Sequence, residues 1–328
     1  MRRSVKCLDY IFVQRPTLFF PVWTLSLAGH WAQSRYSAEV AGGAEVAGGA
    51  EIAGARIWNP APFDAALVLF LALFTLVMGS IFVLNQIEDV ESDRLNDKLY
   101  LIAKGDISRT AAAAETAILF LVPLALAAWL RPALALMIVL AFVVMGWLYS
   151  SPPLALKDRP VGGTAINAAG GLIVFSFGWM ITGSASLSMA AHALPYVLGL
   201  VAVYFFTTVP DIKGDRGAGK RTAAVTWGAP AALKAGAVTD VFAVIASVVM
   251  HDPVILVPTV LALPFFLIAA RSCEEADVLR TAKVATLFLS LAVCLRYPGY
   301  LVLILLVYFF SRWYYRIRFD LNYPNLRT

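Results

Sequence analysis

The chain has 328 residues, of which 60% are hydrophobic and only 14% charged, with a mean hydropathy of +0.76 and a formal net charge of +5. A water-soluble domain carries about 45–50% apolar and about 25% charged residues, and much of its surface must be solvated, so this composition excludes a soluble globule. No basic tract interleaved with aromatics is present, which argues against nucleic acid; the expected partner is a lipid bilayer.

Spanning the hydrocarbon layer takes about 20 mostly apolar residues per helix. Runs on that scale lie at 16–32, 64–84, 111–130, 132–150, 163–183, 192–210, 229–250, 254–270 and 283–310. They predict an all-α polytopic membrane bundle of about nine transmembrane helices in a single domain, 1–328. The N-terminal MRRSVK superficially resembles a secretory signal, but Arg15 splits the apolar stretch and no clear A-x-A site follows, so the first run is expected to be a transmembrane helix. After it, residues 38–55 read AEVAGG, AEVAGG, AEIAGA, a low-complexity repeat expected to form a flexible outer loop. The last run, 283–310, is interrupted by Arg296 and Pro298 yet is too short for two full spans, so it is read as one helix.

Orientation follows from the basic residues. With the N-terminus in the cytoplasm, 18 of the 26 lysines and arginines fall on that side. The tail does not fit, because nine crossings would leave Arg312, Arg316, Arg318 and Arg327 outside. The three cysteines, Cys7, Cys273 and Cys294, show no CxxC spacing and are expected to serve packing.

Two acidic clusters stand out in so apolar a chain. The first, Asn85-Gln-Ile-Glu-Asp89-Val-Glu-Ser-Asp93, follows the second run; the second, Asp211-Ile-Lys-Gly-Asp215, follows the sixth. The spacing i, i+4 (and i+8) lines these side chains along one helical face about a turn apart. Aligned carboxylates repel, and more so where water is partly excluded. A divalent cation relieves the repulsion. Mg²⁺ suits oxygen ligands and bridges one or two carboxylates to substrate phosphates.

Basic residues lie beside both clusters: Arg94, Lys98 and Lys104 after the first, and Lys213, Arg216, Lys220 and Arg221 after the second. Lysine and arginine bind phosphate as point charge and planar fork respectively. Lys220 is the strongest candidate, because the glycines of Gly217-Ala-Gly-Lys-Arg-Thr222 allow close approach to an anion. A third segment, Tyr149-Ser-Ser-Pro-Pro-Leu-Ala-Leu-Lys157, ends the fourth run at its paired prolines and puts Tyr149 and Lys157 at the same rim.

Together these segments resemble the UbiA-type intramembrane prenyltransferases. The shared signs are N-x-x-x-D-x-x-x-D, D-x-x-x-D followed by G-K-x-T, and Y-S-x-P-P-x-x-x-K between them. Arg15-Pro16, Lys104-Gly-Asp-Ile-Ser108 and Tyr314-Tyr-Arg-Ile-Arg-Phe319 fit the same pattern. The resemblance implies a bundle around a central cavity capped at the cytosolic side by an Mg²⁺–diphosphate site. Asp89, Asp93, Asp211 and Asp215 would be the catalytic metal-binding positions. Asn85, Arg15, Lys104, Tyr149, Lys157 and Lys220 would bind substrate. Two departures stand out: Asn85-Gln86 replaces the family's frequent N-D, and Tyr100-Leu-Ile-Ala-Lys104-Gly105 lacks the arginine of R-P-x-x-S-G.

The implied reaction transfers a prenyl group from a polyprenyl diphosphate to a lipophilic acceptor through an allylic carbocation. Positive charge on the diphosphate favours its departure, exclusion of water protects the cation, and aromatic faces stabilise it. An aromatic, quinone-precursor acceptor is the expectation; a chlorin, glycerol-lipid or phosphoribose acceptor is the alternative. A transporter would instead place its ionisable groups near the bilayer midplane on broken helices.

Overall fold

The computed structural model describes residues 5–42, 60–61, 63–95 and 101–324. Ten long helices run back and forth through these residues: α1 (Phe19–Gly42), α2 (Ala65–Glu88), α3 (Arg109–Leu130), α4 (Pro132–Leu148), α5 (Pro160–Trp179), α6 (Leu187–Thr207), α7 (Ala229–Val249), α8 (Pro253–Ser272), α9 (Glu275–Arg296) and α10 (Pro298–Phe319). Eight of them, α2, α3 and α5 to α10, are 20 to 24 residues long and apolar enough to cross a membrane. The chain is a multi-pass integral membrane protein.

Local chemistry sets the helix starts. Asp64, Ser108, Ser186 and Asp252 accept hydrogen bonds from the backbone N–H groups of Leu67, Ala111, Met189 and Val254, satisfying donors that the first turn leaves open. Prolines sit in the first turn of α4, α5, α7, α8 and α10, where a missing N–H costs nothing.

The apolar run 283–310, expected to be one helix, is two. The chain breaks at Arg296-Tyr297-Pro298; α9 starts eight residues before the run and α10 continues nine residues beyond it. Helices extend through the headgroup region on charged flanks whose side chains reach back to water, so counting apolar residues alone underestimates their length. The extra crossing brings the tail back to the N-terminal end of the bundle. There Arg318 pairs with Asp9 (3.1 Å) and Asp106, and the Tyr314 hydroxyl donates to Asp9 Oδ1 at 2.6 Å. The tail arginines Arg316 and Arg318 thus join the basic end, as the charge asymmetry requires. Arg318→Leu is expected to strand the Asp9 side chain, 5% exposed, and to lower stability by about 3–5 kcal/mol, read as a fall in the unfolding midpoint in detergent.

The 38–55 repeat is also corrected at its start. Helix α1 is described to Gly42, so Ala38–Ala41 is helical rather than loop, as alanine and glutamate favour. The rest of the repeat lies outside the described residues, as does Lys98.

Helices α1, α5, α6 and α9 form an inner ring, with α2, α3 and α4 packed outside it on one side and α7 and α8 on the other. The ring closes where α1 and α5 touch backbone to backbone. A Cβ on Gly29 would lie 2.0 Å from the Phe175 carbonyl oxygen, and one on Gly178 would lie 1.7 Å from that of Ser26. Gly178→Val must therefore separate the two helices. A loss of about 3 kcal/mol is expected, measurable by thermal unfolding. At the far end Arg35 donates to the Met250 and His251 carbonyls and Arg131 to those of Ile181 and Gly183, so these arginines cap helix C-termini rather than present free charge.

Candidate functional site

The first acidic motif straddles a joint. Helix α2 ends at Glu88, Asp89 caps it, and a short helix, Val90–Leu95, follows. The i→i+4 bonding survives the joint, because the Asp89 N–H donates to the Asn85 carbonyl (3.0 Å) and that of Asp93 to Asp89 (2.8 Å). In the second motif Asp211 precedes the short helix Ile212–Gly217, and the Asp215 N–H donates to the Asp211 carbonyl at 2.8 Å. The two short helices pack against each other, so both motifs meet at one end of the bundle.

Asp89 is the hub. Lys157 Nζ donates to its Oδ2 at 2.6 Å and Lys220 Nζ to its Oδ1 at 3.2 Å. Lys157 comes from the segment after α4, where Ala155 adopts a left-handed conformation (φ 36°) that turns the chain, and its side chain is only 9% exposed. Its ammonium also lies 5.8 Å from the centre of the Tyr149 ring. Lys220 comes from the turn after Ile212–Gly217. Gly219 takes φ 74° there, a conformation open to glycine at no steric cost, and the Lys220 N–H folds back onto the Asp215 carbonyl at 2.9 Å.

Sequence reasoning missed four participants. Asp158 Oδ1 lies 3.7 Å from Lys220 Nζ, and its carbonyl accepts from the Arg221 N–H at 2.9 Å, tying the Lys157 segment to the Lys220 turn. Ser150 accepts from Asn85 Nδ2 (3.0 Å), Ser151 donates to Glu88 (3.0 Å) and Thr222 donates to Asp215 (3.3 Å). Ser150 and Thr222 are themselves positions of Y-S-x-P-P-x-x-x-K and G-K-x-T, whereas Asp158 and Ser151 gave no signal beyond lying within two residues of a candidate. Lys104 is exposed on the turn 101–107, which Arg94 holds through the Ala103 carbonyl, and among the described residues it makes no hydrogen bond or ion pair to the aspartates. Asp93 is 5% exposed and Asp211 is exposed.

The electrostatics follow from this packing. Burial alone would push the Asp89 carboxyl up, but Lys157 and Lys220 together hold it below the ordinary carboxylate range. Burial would lower Lys220, and the carboxylates of Asp89, Asp158 and Asp215 raise it instead. Asp158 is raised, because burial outweighs the help it receives from the two lysines. Thus Asp89 stays charged at neutral pH with both oxygens engaged by cations.

One helical turn before Asp89 begins a cavity of about 290 Å³. Arg15, Asn85, Tyr149 and Asn167 form its polar rim, and Phe82, Met78, Leu25 and Val174 are among its apolar walls. The aromatic faces on this cavity are therefore those of Phe82 and Tyr149. Among the described residues no three His, Cys, Asp or Glu side chains stand close enough to cage a metal alone. The donors are hard carboxylate oxygens in two pairs. Such a set suits a divalent ion that takes its remaining ligands from phosphate and water.

The sequence model described as the UbiA prenyltransferase family matches residues 50–292. A protein of Halobacterium salinarum named digeranylgeranylglyceryl phosphate synthase is 38% identical over 168 residues, 51% of this chain and 59% of the relative. One of the same name from Methanoregula boonei is 34% identical over 185 residues, 56% of this chain and 65% of the relative. The matched stretches thus span less than two thirds of each relative. Among solved structures, a UbiA homologue from Archaeoglobus fulgidus, bound to GPP and Mg²⁺, superposes with a TM-score of 0.60 at 21% identity, covering 88% of this chain and 99% of that one.

Proposed function

The chain belongs to the UbiA prenyltransferase family, and from that premise we propose that it transfers a prenyl group from a polyprenyl diphosphate to a hydroxyl of a glycerol-phosphate lipid, with Mg²⁺ as cofactor. The observation that carries the reading is Asp89 held by Lys157 and Lys220 at the end of an apolar cavity, with the Asp211–Asp215 pair alongside. The aromatic acceptor expected from the sequence gives way here. Relatives named for digeranylgeranylglyceryl phosphate favour the glycerol-lipid alternative.

Asp89, Asp93, Asp211 and Asp215 would hold the metal. When bound, Mg²⁺ would offset the charge of the diphosphate that these carboxylates alone would repel. Lys157 and Lys220, parked on Asp89, turn toward the phosphate oxygens when substrate arrives. Arg15 and Asn85 orient the diphosphate at the cavity rim, and the prenyl chain lies along the apolar walls. The C1–O bond breaks with its electron pair on diphosphate, and the dry cavity keeps water from the allylic cation. Phe82 and Tyr149 offer it aromatic faces. The acceptor oxygen then bonds to C1, and its proton leaves with the diphosphate. The basic residues gathered at this end support a cytoplasmic orientation.

Purified protein in nanodiscs, given geranylgeranyl diphosphate, Mg²⁺ and either geranylgeranylglyceryl phosphate or 4-hydroxybenzoate, separates the readings by mass spectrometry of the lipid extract. A doubly prenylated glycerol phosphate that disappears with EDTA is the expected product. Prenylation of the aromatic alone would overturn the acceptor and keep the transfer. No product from either would overturn both.

A further inference from the structure

A second, deeper cavity of about 110 Å³ lies on the other side of α1 and α6, between them and α7, α8 and α9. Pro21, Leu25 and Leu200 line both cavities and form the wall between them. Its walls are apolar except for a few groups. The chief one is Asp240 of α7, which is 2% exposed and whose Oδ2 is buried without a hydrogen-bond partner among the described residues. Asp240 is the twelfth residue of α7, about 16 Å along a helix rising 1.5 Å per residue, which puts it near the middle of the hydrocarbon layer.

An ionisable group at that depth is costly unless something answers it. The neighbouring hydroxyls do not hydrogen-bond to it. Thr259 donates to the Ile255 carbonyl (2.9 Å) and Thr286 to that of Ala282 (2.9 Å), each within its own helix. What these threonines still offer the cavity is oxygen lone pairs. In the uncharged form, which is far cheaper to bury, the Asp240 carboxyl adds one O–H donor and one carbonyl acceptor to these lone pairs. A matching occupant supplies a donor and an acceptor on an apolar body. For size, an engineered cavity of about 150 Å³ holds benzene and its six carbons, so this smaller one takes about four non-hydrogen atoms.

We propose that this inner cavity is a second binding site, separate from the diphosphate site, for a short branched alcohol, with Asp240 as the group that recognises its hydroxyl. Thr259 and Thr286 complete the polar side of the site, and the leucines fix its size. The site is independent of the reaction proposed above, since it shares only apolar wall residues with the reaction cavity.

The test uses the 328-residue protein in nanodiscs, titrated with propan-2-ol and, separately, with the hydrocarbon 2-methylpropane. Infrared difference spectra read the carboxyl C=O band that is assigned to Asp240 by its absence in Asp240→Asn. The alcohol is expected to shift that band saturably and to raise the melting temperature, whereas the hydrocarbon does neither. Asp240→Leu should weaken the alcohol at least tenfold while binding of labelled geranylgeranyl diphosphate with Mg²⁺ stays within twofold. Thr286→Val should weaken the alcohol by about two- to tenfold, the worth of one hydrogen bond, and reports on the site if Asp240→Leu fails to fold. Equal effects of alcohol and hydrocarbon, or unchanged alcohol affinity in the variants, would overturn the proposal. So would a tenfold loss of diphosphate binding in Asp240→Leu, which would make the cavity part of the prenyl channel.

Discussion

Asp89→Asn is expected to lower the turnover of prenyl transfer by about 10²–10³-fold, the range seen when one preorganised electrostatic contact to a developing charge is removed. Asparagine keeps the shape of aspartate, so the cavity and the joint after α2 should persist. What goes is the charge that would help hold Mg²⁺ and that positions both Lys157 at 2.6 Å and Lys220 at 3.2 Å. The substitution also leaves Lys157, 9% exposed, without its counter-ion, so thermal unfolding must be measured beside activity. A folded variant that keeps more than a tenth of the turnover would remove Asp89 from the metal site.

The pH behaviour follows from the same pair. The Asp89 carboxyl is held below its ordinary value, so what it contributes is fully present above the unfolded value of about 3.9 and is lost only as pH falls through the lower folded value. Its acid limb therefore belongs below about pH 4. An activity profile with an acid limb near neutrality must arise from another group.

Much of this arrangement was legible in the residues. The i, i+4 spacing of Asp89–Asp93 and Asp211–Asp215 needed only helical geometry, and charge asymmetry placed both motifs at one end. The lysine contacts were a different matter. Asp89 stands 68 residues from Lys157 and 131 from Lys220, and only the packing of the helices that carry them brings these side chains onto one carboxylate. Lys104 shows the converse: it stands near the first motif in sequence, yet the turn 101–107 leaves it exposed. The last apolar run was misread because, bounded near Lys283 and Arg312, it was too short for two spans, whereas the two helices carry such charges within their lengths. Asp240 was visible as a lone aspartate in an apolar run, but a cavity facing it is a property of five helices and has no signature in one.

Lys157→Met and Lys220→Met test how the two cations divide their task. Both meet Asp89, but Lys157 is 9% exposed against 17% for Lys220, and Lys220 is shared with Asp158. The drier contact should matter more: about a hundredfold loss of kcat/KM is expected for Lys157→Met, within the range for a buried electrostatic contact, and a smaller loss for Lys220→Met. Lys157→Arg should not restore activity, because a planar fork does not fit a place built for a compact ammonium. The carboxylates around Lys220 raise its folded value above the unfolded value of about 10.4, so its charge is complete below that pH and is lost only as pH rises through the folded value. Lys220 therefore contributes no basic limb between pH 6 and about pH 10. Since both side chains converge on one carboxylate, the double variant should lose less than the product of the single losses. Strictly multiplicative losses, with Asp89→Asn costing as much in the Lys157→Met background as in the wild type, would mean that the lysines act apart from Asp89 and that their convergence on it has no part in the chemistry.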